Sequence, residues 1–258
     1  MRLLASLIIG LTLTTAALTS AQAGPVLDRV MDSKTLRVGT PGDYRPFAIK
    51  TATGGFEGHD IDVIEKMAKE MGVTIQYVQT SWPNLMADLQ ASKFDVAVGG
   101  ITRNTNRIRK FAMLPGYAPF GKVALVQTAN QARYKSVADL NQPGVRVIKN
   151  PGGTNETFAL ANLGQAQIST HDKNAEIPGL IAAGQGDVMI TETYEALYYA
   201  KNDPRLTAKF VDSPLTPKSF LGFMLNSDDA DFTRVMQFTW DLVDQRGGLQ
   251  DAQLRWLK

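Results

Sequence analysis

The stretch Asn150-Pro151-Gly152-Gly153-Thr154-Asn155-Glu156 follows the short apolar run 145–148 and precedes a helical pattern at 157–163. A strand, a glycine-rich turn and a helix in this order bring free backbone N–H groups and the positive end of a helix to one point. Two glycines let the backbone approach a ligand without an intervening Cβ atom. The stretch predicts an anion site, although an ordinary βα turn with a capped helix would look the same. It contains no lysine and no Walker pattern, so it does not resemble a phosphate-binding P-loop.

Elsewhere in the chain, helical patterns alternate with short apolar segments. Residues 36–40 and 188–191 have the composition of buried strands, and residues 60–71 carry apolar side chains at helical spacing. This alternation predicts an α/β fold with mainly parallel sheets. Ser81 has the character of an N-cap and predicts a further helix that runs to about residue 91.

Two connections have the composition of crossings between lobes, one near residues 127–129 and one near 212–214. We therefore predict one lobe from residues 24–127 and 214–258, and a second lobe from residues 128–213. Ligands of open α/β sheets bind beyond the carboxyl ends of the strands. The two lobes would then face each other across a shared, hinged cleft.

The first 23 residues have the pattern of a secretory signal peptide, with basic Met1-Arg2, an apolar stretch and small residues at 21–23. We expect residues 1–23 to be removed on export, which predicts a periplasmic protein that is not inserted in the membrane. The chain has no cysteine and only two histidines, His59 and His171, without ligand spacing. We therefore expect no metal and no organic cofactor. The formal net charge of +2 gives no indication of a nucleic-acid partner, so a small molecule is the expected ligand.

Several motifs resemble those of the family-3 extracellular solute-binding proteins. The first strand is followed by an aromatic-Pro-Phe loop and by Gly-x-Asp-x-Asp at residues 58–62. Asp95-x-x-x-x-Gly100 is followed by Arg107 at the spacing of the family's carboxylate-binding arginine. The resemblance covers nearly the whole mature chain. It implies a two-lobed fold of the type II periplasmic-binding-protein class, with a hinged cleft between the lobes.

Within this family the sequence is most similar to the branch of periplasmic cyclohexadienyl dehydratases. The stretches that carry this similarity are 42–47, 80–86, 142–145, 150–156 and 194–196. The resemblance implies conversion of prephenate to phenylpyruvate and of arogenate to phenylalanine, by loss of carbon dioxide and of the ring hydroxyl group. It places the general acid at Glu195. The residues that it implies for substrate binding are Tyr44, Phe47, Trp82, Gly100, Thr102, Arg107, Asn150, Gly153, Thr154, Asn155 and Glu192.

The chemistry of these side chains fits such a substrate. The planar guanidinium of Arg107 can take a carboxylate through two parallel hydrogen bonds, and the turn at 150–156 can take the other. Trp82 offers a flat apolar wall for a ring. Glu195 stands among apolar and aromatic neighbours, and Glu192 lies one helical turn earlier, so burial and a like charge would both raise its pKa. Two features depart from the dehydratase pattern: Glu192 stands where that branch has Asp, and residues 213–223 do not align clearly.

A non-catalytic receptor that delivers an amino acid or a bulky carboxylate to an ABC permease is the alternative function. It would need the same Arg107 and the same anion turn, but no desolvated Glu195. The plain structural alternatives are a surface position for Glu195 and a core position for Trp82. We expect His59 to be a loop residue and Asp60 to be a charge in the first turn of a helix.

Overall fold

The structure is a computed structural model that describes residues 24–258. The predicted signal peptide, residues 1–23, lies outside the described residues. The helices, in chain order, are α1 (Pro25–Ser33), α2 (His59–Met71), α3 (Leu85–Gln90), α4 (Thr105–Ile108), α5 (Val137–Leu140), α6 (Thr154–Asn162), α7 (Ile177–Ala182), α8 (Thr193–Asn202), α9 (Ala230–Gln245) and α10 (Gly248–Trp256). Two short 3-10 helices span Thr128–Arg133 and Asn174–Glu176.

The strands are short, and most of them belong to two five-stranded sheets. In chain order they are β1 (Thr35–Thr40), β2 (Asp43–Tyr44), β3 (Ala48–Lys50), β4 (Phe56–Glu57), β5 (Thr74–Gln79), β6 (Val96–Ala97), β7 (Phe111–Met113), β8 (Tyr117–Phe120), β9 (Lys122–Gln127), β10 (Arg146–Lys149), β11 (Gln167–Thr170), β12 (Val188–Glu192), β13 (Leu206–Lys209), β14 (Ser219–Leu221) and β15 (Met224–Asn226). The strand predicted at 221–225 is therefore two strands, β14 and β15.

The two large sheets confirm the predicted α/β, two-lobed fold class. The first has the order β5-β1-β6-β15-β7, and the second has the order β11-β10-β12-β9-β13. Each sheet is mixed rather than mainly parallel, because its first two pairings are parallel and its last two are antiparallel. The reason is the connectivity: β9 follows β8 and β15 follows β14 directly, without the helical crossover that parallel neighbours need.

The strand 122–127 was predicted to end the first lobe, but it lies in the second sheet, paired with β12 and β13. The chain thus crosses at about Gly121, several residues earlier than expected. It returns beside the same point, where the Leu215 N–H donates to the Lys122 carbonyl at 2.8 Å, before β14 pairs with β8. Apart from this strand, the predicted division into 24–127 with 214–258, and 128–213, stays a prediction.

Apolar residues from the helices cover both sheets. Helices α2, α9 and α10 pack together on the first sheet and bury Ile64, Phe232 and Leu249 in one cluster with Val38. In the second lobe, β9, β10 and β12 bury apolar side chains on both faces. Burial of this apolar surface is the main source of stability for each lobe. In the part of the chain that the structure describes, no helix combines the length and the apolar character needed to cross a membrane.

Two predicted helix starts are corrected by the structure. Ser81 does not cap a helix: residues 81–84 form a turn, in which the Asn84 N–H donates to the Ser81 carbonyl at 3.1 Å, and α3 begins at Leu85. The turn leaves Trp82 free to point into the cleft. Helix α6 begins at Thr154 rather than at residue 157. The predicted anion turn therefore supplies the first helical turn itself.

Candidate functional site

A cavity with an empty volume of about 280 Å³ lies between the two lobes. From the first lobe it is lined by Tyr44, Trp82, Gly100, Thr102 and Arg107. From the second lobe it is lined by Asn150, Gly153, Thr154, Asn155 and Glu192. The structure thus brings ten of the predicted site residues to one place. Phe47 and Glu195 are the two that it places behind the cavity wall.

Arg107 provides a buried positive charge at the cavity. It lies on α4, whose N-cap Asn104 accepts the Arg107 backbone N–H at 2.9 Å. Its Nη1 donates to the Thr102 carbonyl at 2.7 Å, which uses one of the five guanidinium donors. Burial lowers the pKa of Arg107, and the Glu192 charge opposes that shift. An arginine remains protonated in proteins, so the other donors can serve an anion.

The glycine-rich turn faces the cavity as an open helix N-terminus. No side chain caps α6 at Gly153, and Thr154 and Asn155 form its first turn at the cavity. Gly152 has φ of +82°, which suits glycine, and its backbone N–H donates to Glu156 at 2.7 Å. Lys149 pairs with the same Glu156 carboxylate. The contacts of Glu156 with Gly152 and Lys149 therefore fix the turn, while the N–H groups at the start of α6 are available to a carboxylate.

Lys122 is a site residue that the sequence analysis missed. It is 5% exposed and stands at the start of β9. Its Nζ donates to Thr154 Oγ1 at 2.7 Å, to Asn155 Oδ1 at 2.5 Å and to Glu192 Oε1 at 2.8 Å. Burial lowers the pKa of Lys122, and the Glu192 charge raises it. The sequence indicates the burial of Lys122 only by its position in the apolar strand 122–127. No sequence spacing identifies Glu192 as its partner.

Glu192 joins the two lobes. Its carboxylate accepts from Tyr44 Oη at 2.7 Å and from Thr102 Oγ1 at 2.9 Å, both in the first lobe. It also pairs with Lys122 in its own lobe. Both oxygens are therefore engaged by protein donors, and the charge is balanced by a buried ammonium group.

Aromatic side chains form one wall of the cavity. Trp82 and Tyr44 pack edge to face with ring centroids 5.7 Å apart. Phe47 is fully buried and stacks on Tyr44 from behind, also at 5.7 Å. The role predicted for Phe47 in direct binding is not supported by this position, because Tyr44 and Gly100 stand between it and the cavity. Gly100 has no Cβ atom, which allows Tyr44 to come close.

Glu195 lies on α8 and has no exposed surface. Its Oε1 accepts from Asn174 Nδ2 at 2.6 Å, and its Oε2 is contacted by the Thr191 hydroxyl group. Burial raises the pKa of Glu195 well above its ordinary value; the two hydrogen bonds oppose the shift, and the charges of Asp43 and Glu192 add to it. The surface alternative for Glu195 is therefore excluded. Asn174 and Asp43 were not predicted, because they belong to a 3-10 helix and to β2, with no sequence spacing that relates them to Glu195.

The prediction of a loop position for His59 was wrong, whereas Asp60 does lie in the first turn of a helix. Both are fully buried at the start of α2. Asp60 Oδ2 accepts the backbone N–H groups of Gly99 and Gly100, each at 2.8 Å. An acidic residue in a first helical turn is usually solvated, but here it holds the loop that leads to Thr102 at the cavity. Among residues 24–258, no three His, Cys, Asp or Glu side chains are grouped to hold a metal ion.

Comparisons with known proteins agree with this architecture. The family model of bacterial extracellular solute-binding proteins, family 3, matches residues 36–258. The cyclohexadienyl dehydratase of Pseudomonas aeruginosa is 38% identical over 234 residues, which cover 90% of this chain and 86% of that protein. A probable amino-acid ABC transporter-binding protein of Haemophilus influenzae is 30% identical over 261 residues, which cover 95% of this chain and 96% of that protein.

A solved structure gives the same result. The ancestral amino acid-binding protein described as a precursor of cyclohexadienyl dehydratase superposes with a TM-score of 0.83 at 33% identity, covering 90% of this chain and 100% of that one. The relatives thus include both an enzyme and transport receptors. The family match spans nearly all of the described residues, and the chain belongs to family 3 of the bacterial extracellular solute-binding proteins.

Proposed function

We propose that this protein is a cyclohexadienyl dehydratase, which converts prephenate to phenylpyruvate and arogenate to phenylalanine, with Glu195 as the general acid. The observation that carries the proposal is the state of Glu195. Its carboxyl group is fully buried beside the cavity, and burial raises its pKa well above the ordinary value. A raised pKa lets a carboxyl group hold its proton at higher pH, which favours a role as general acid.

The cavity offers separate positions for two carboxylates. Arg107 has guanidinium donors to spare, and the uncapped N-terminus of α6 has free N–H groups. Prephenate carries one carboxylate on the ring and one on the side chain. One carboxylate would bind Arg107 and the other would bind the first turn of α6, with the ring against Trp82.

The Lys122–Glu192 pair also favours the enzyme over an amino-acid receptor. In a receptor, an acidic residue must be available to hold the ammonium group of the ligand. Here Glu192 already holds an ammonium group, that of Lys122, and both of its oxygens are engaged. This arrangement weakens the attraction of the site for the ammonium group of a free amino acid, and by the same argument it favours prephenate over arogenate, which also carries an ammonium group.

The reaction is a decarboxylative dehydration. The bond between the ring and its carboxylate breaks, carbon dioxide leaves, and the electron pair completes the aromatic ring. The carbon–hydroxyl bond at the far side of the ring breaks at the same time, and the proton of Glu195 converts the departing hydroxyl group to water. Glu195 is left as a carboxylate and regains a proton from solvent. A positioned acid of this kind contributes roughly 10²- to 10⁴-fold to a rate.

Thr191 and Tyr44 bring two hydroxyl groups close to Glu195, and Tyr44 lines the cavity. The Thr191 hydroxyl group contacts Glu195, and its hydrogen bonding also lowers the pKa of Tyr44, which lines the cavity. Burial and the Glu192 charge raise the pKa of Tyr44, so its hydroxyl group keeps its proton at neutral pH. The proton of Glu195 would reach the substrate past this pair of hydroxyl groups.

The export pattern of residues 1–23 supports a periplasmic location, where substrate would meet the mature protein directly. Under the receptor alternative, the partner would be an ABC permease, as the name of the Haemophilus influenzae relative indicates for that protein.

Turnover of prephenate, followed through the ultraviolet absorbance of phenylpyruvate, tests the proposal. We expect turnover by the purified protein and a loss of about 10²- to 10⁴-fold in kcat for Glu195→Gln, with substrate binding retained. Wild-type protein without turnover would exclude the dehydratase. Tight binding of an amino acid by calorimetry would then establish the receptor. Turnover that survives Glu195→Gln would exclude Glu195 as the acid.

A further inference from the structure

Asp43 lies at the edge of the cavity, where the two lobes meet. Its Oδ1 accepts the Trp82 indole N–H at 2.8 Å, and its Oδ2 accepts the Asn174 backbone N–H at 3.3 Å. The Asn174 side-chain Nδ2 donates in return to the Asp43 backbone carbonyl at 3.2 Å. Asp43 belongs to β2 in the first lobe, and Asn174 belongs to the 3-10 helix of the second lobe. We name these two contacts between Asp43 and Asn174 the Asp43–Asn174 bridge.

The bridge continues to Glu195. The Asn174 amide has two N–H donors, and the second one goes to Glu195 Oε1 at 2.6 Å. In a neutral carboxyl group one oxygen is a carbonyl acceptor and the other carries the proton. Oε1 accepts from Asn174, and Oε2 faces the Thr191 hydroxyl group, which can donate to a carboxylate oxygen or accept from a protonated one. Asn174 is fully buried, so water cannot replace this donor without opening the site.

The same bridge also holds a wall of the cavity. Trp82 lines both the cavity and an outer groove between the lobes. The indole is therefore placed where it can separate the cavity from the groove. Its only polar atom is Nε1, and that atom is bound to Asp43.

We propose that Asp43 and Asn174 are positioning residues. When the lobes close, they orient the Glu195 carboxyl group and the Trp82 indole at the same time. The proton donor is then in place only when the cavity is partitioned from the outer groove. This order of events protects a decarboxylating substrate from premature contact with water. The inference rests on the proposed function, since it assigns Glu195 the role of proton donor.

A simple clasp between the lobes would have different consequences. If the Asp43–Asn174 bridge only stabilised the closed form, removing it would weaken ligand binding and leave the titration of Glu195 unchanged. A positioning contact to Glu195 shifts that titration. The other titratable and charged groups that face Glu195 are Asp43, Tyr44, Lys122, Glu192 and Tyr199. All five are retained when only Asn174 is changed.

The decisive variant is Asn174→Leu, which keeps the size of the side chain but removes its amide. The Asn174 hydrogen bond lowers the pKa of Glu195, so its removal moves the titration to higher pH. Asn174→Ala serves as a second variant in case the leucine side chain of Asn174→Leu prevents folding, because alanine is smaller than asparagine. The matched control is Asp172→Asn, an exposed residue of the same outer groove that takes no part in the bridge.

The primary measurement is a carbon-13 NMR titration of the glutamate side-chain carboxyl carbons. The Glu195 resonance is the one that disappears in Glu195→Gln. We expect its midpoint to rise by about one pH unit in the Asn174 variants and to stay in place in Asp172→Asn. An unmoved midpoint in a folded Asn174 variant would overturn the proposal. This titration needs no turnover.

Kinetics with prephenate complete the test. We expect kcat to fall at least about tenfold in the Asn174 variants, with KM changed by less than about threefold. A rise of KM with unchanged kcat would show a clasp and overturn the positioning role. Wild-type protein without any turnover, beside a shifted Glu195 midpoint, would remove the dehydratase function and leave the contact between Asn174 and Glu195 established.

Discussion

The Nζ atom of Lys122 lies 2.8 Å from Oε1 of Glu192, and both side chains are almost completely buried. Removing two charges from water is costly, and only mutual attraction with further hydrogen bonds offsets that cost. The pair has such bonds: Tyr44 and Thr102 donate to Glu192, and Thr154 and Asn155 accept from Lys122. The pair thus organises residues from both lobes around the cavity.

Replacing one member of this pair should be more harmful than replacing both. Lys122→Met leaves the Glu192 carboxylate buried without its counter-charge, which costs about 3 to 5 kcal/mol in the free energy of unfolding. The double variant Lys122→Met/Glu192→Gln removes both charges, and we expect it to recover most of that loss. Urea unfolding at neutral pH, followed by fluorescence and circular dichroism together, measures both values.

The exposed pair Lys66–Asp251 is the matched control for this cycle. Exposed pairs contribute about 0 to 1 kcal/mol, so Lys66→Met should change stability little. Equal losses in Lys122→Met and in the double variant would show that the two buried side chains are not energetically coupled.

Arg107 should tolerate no substitution by lysine, although the charge is kept. Lysine lacks the planar fork that matches a carboxylate through two bonds, and its single ammonium group cannot also replace the contact to the Thr102 carbonyl. We expect Arg107→Lys to weaken substrate binding by about 1.5 to 3 kcal/mol, roughly 10- to 150-fold, with a smaller effect on kcat. Calorimetric titration with phenylpyruvate measures the affinity. The exposed neighbour Arg109→Lys is the control, and equal effects in the two variants would contradict a carboxylate role for Arg107.

Local sequence signals predicted the parts of the site that depend on local structure. The turn at 150–156 stands at a helix N-terminus, which can be identified from neighbouring residues. Arg107 was predicted from its spacing after Gly100, through the resemblance to the solute-binding family. These predictions place the carboxylate-binding groups at the cavity. The predicted boundary of the first lobe was misplaced by one strand. The sequence of an apolar strand such as 122–127 does not indicate which sheet the strand joins.

The remaining features depend on contacts between distant segments. Lys122 and Glu192 are 70 residues apart, and the contact of Asp43 with Asn174 spans 131 residues. No helical or strand periodicity in the sequence indicates either contact. The burial of Asp60 was not predicted, because its hydrogen-bond donors, the N–H groups of Gly99 and Gly100, lie about 40 residues away in sequence, after another strand. Closure of the lobes decides which polar residues are buried, and no local pattern encodes it.

Closure of the cleft can be tested at Gly152. A Cβ atom added there would lie 2.4 Å from the backbone nitrogen of Pro83 in the other lobe. We expect Gly152→Ala to hold the lobes apart, with a larger radius of gyration by small-angle X-ray scattering in the presence of ligand and at least a tenfold loss of affinity. Gly54→Ala controls for backbone strain, because Gly54 has a similar φ of +89° and open space around it. An unchanged affinity in Gly152→Ala would contradict close contact at this point.

The buried Glu195 also makes stability depend on pH, and the direction of the effect follows from its raised pKa. Below the ordinary pKa of a glutamic acid, about 4.3, the group is protonated in the folded and in the unfolded chain. As the pH rises above that value, the unfolded chain releases the proton and the folded protein keeps it. The unfolded state is thereby favoured, by about 1.4 kcal/mol for each pH unit, until the pH passes the folded pKa.

Glu195→Gln removes this dependence, so the variant should gain stability relative to wild type as the pH rises above about 4.3, until the pH passes the raised pKa of Glu195. Asp43, whose pKa is also raised by burial, is present in both proteins and contributes mainly to the shared part of the curve. Glu156→Gln should show the opposite trend, because the Lys149 and Gly152 hydrogen bonds lower the pKa of Glu156 and its contribution is lost as the pH falls. Urea unfolding of the three proteins across this pH range measures the differences. Parallel curves for wild type and Glu195→Gln would mean that Glu195 ionises in the folded protein much as it does in the unfolded chain, and would remove the basis for its role as an acid.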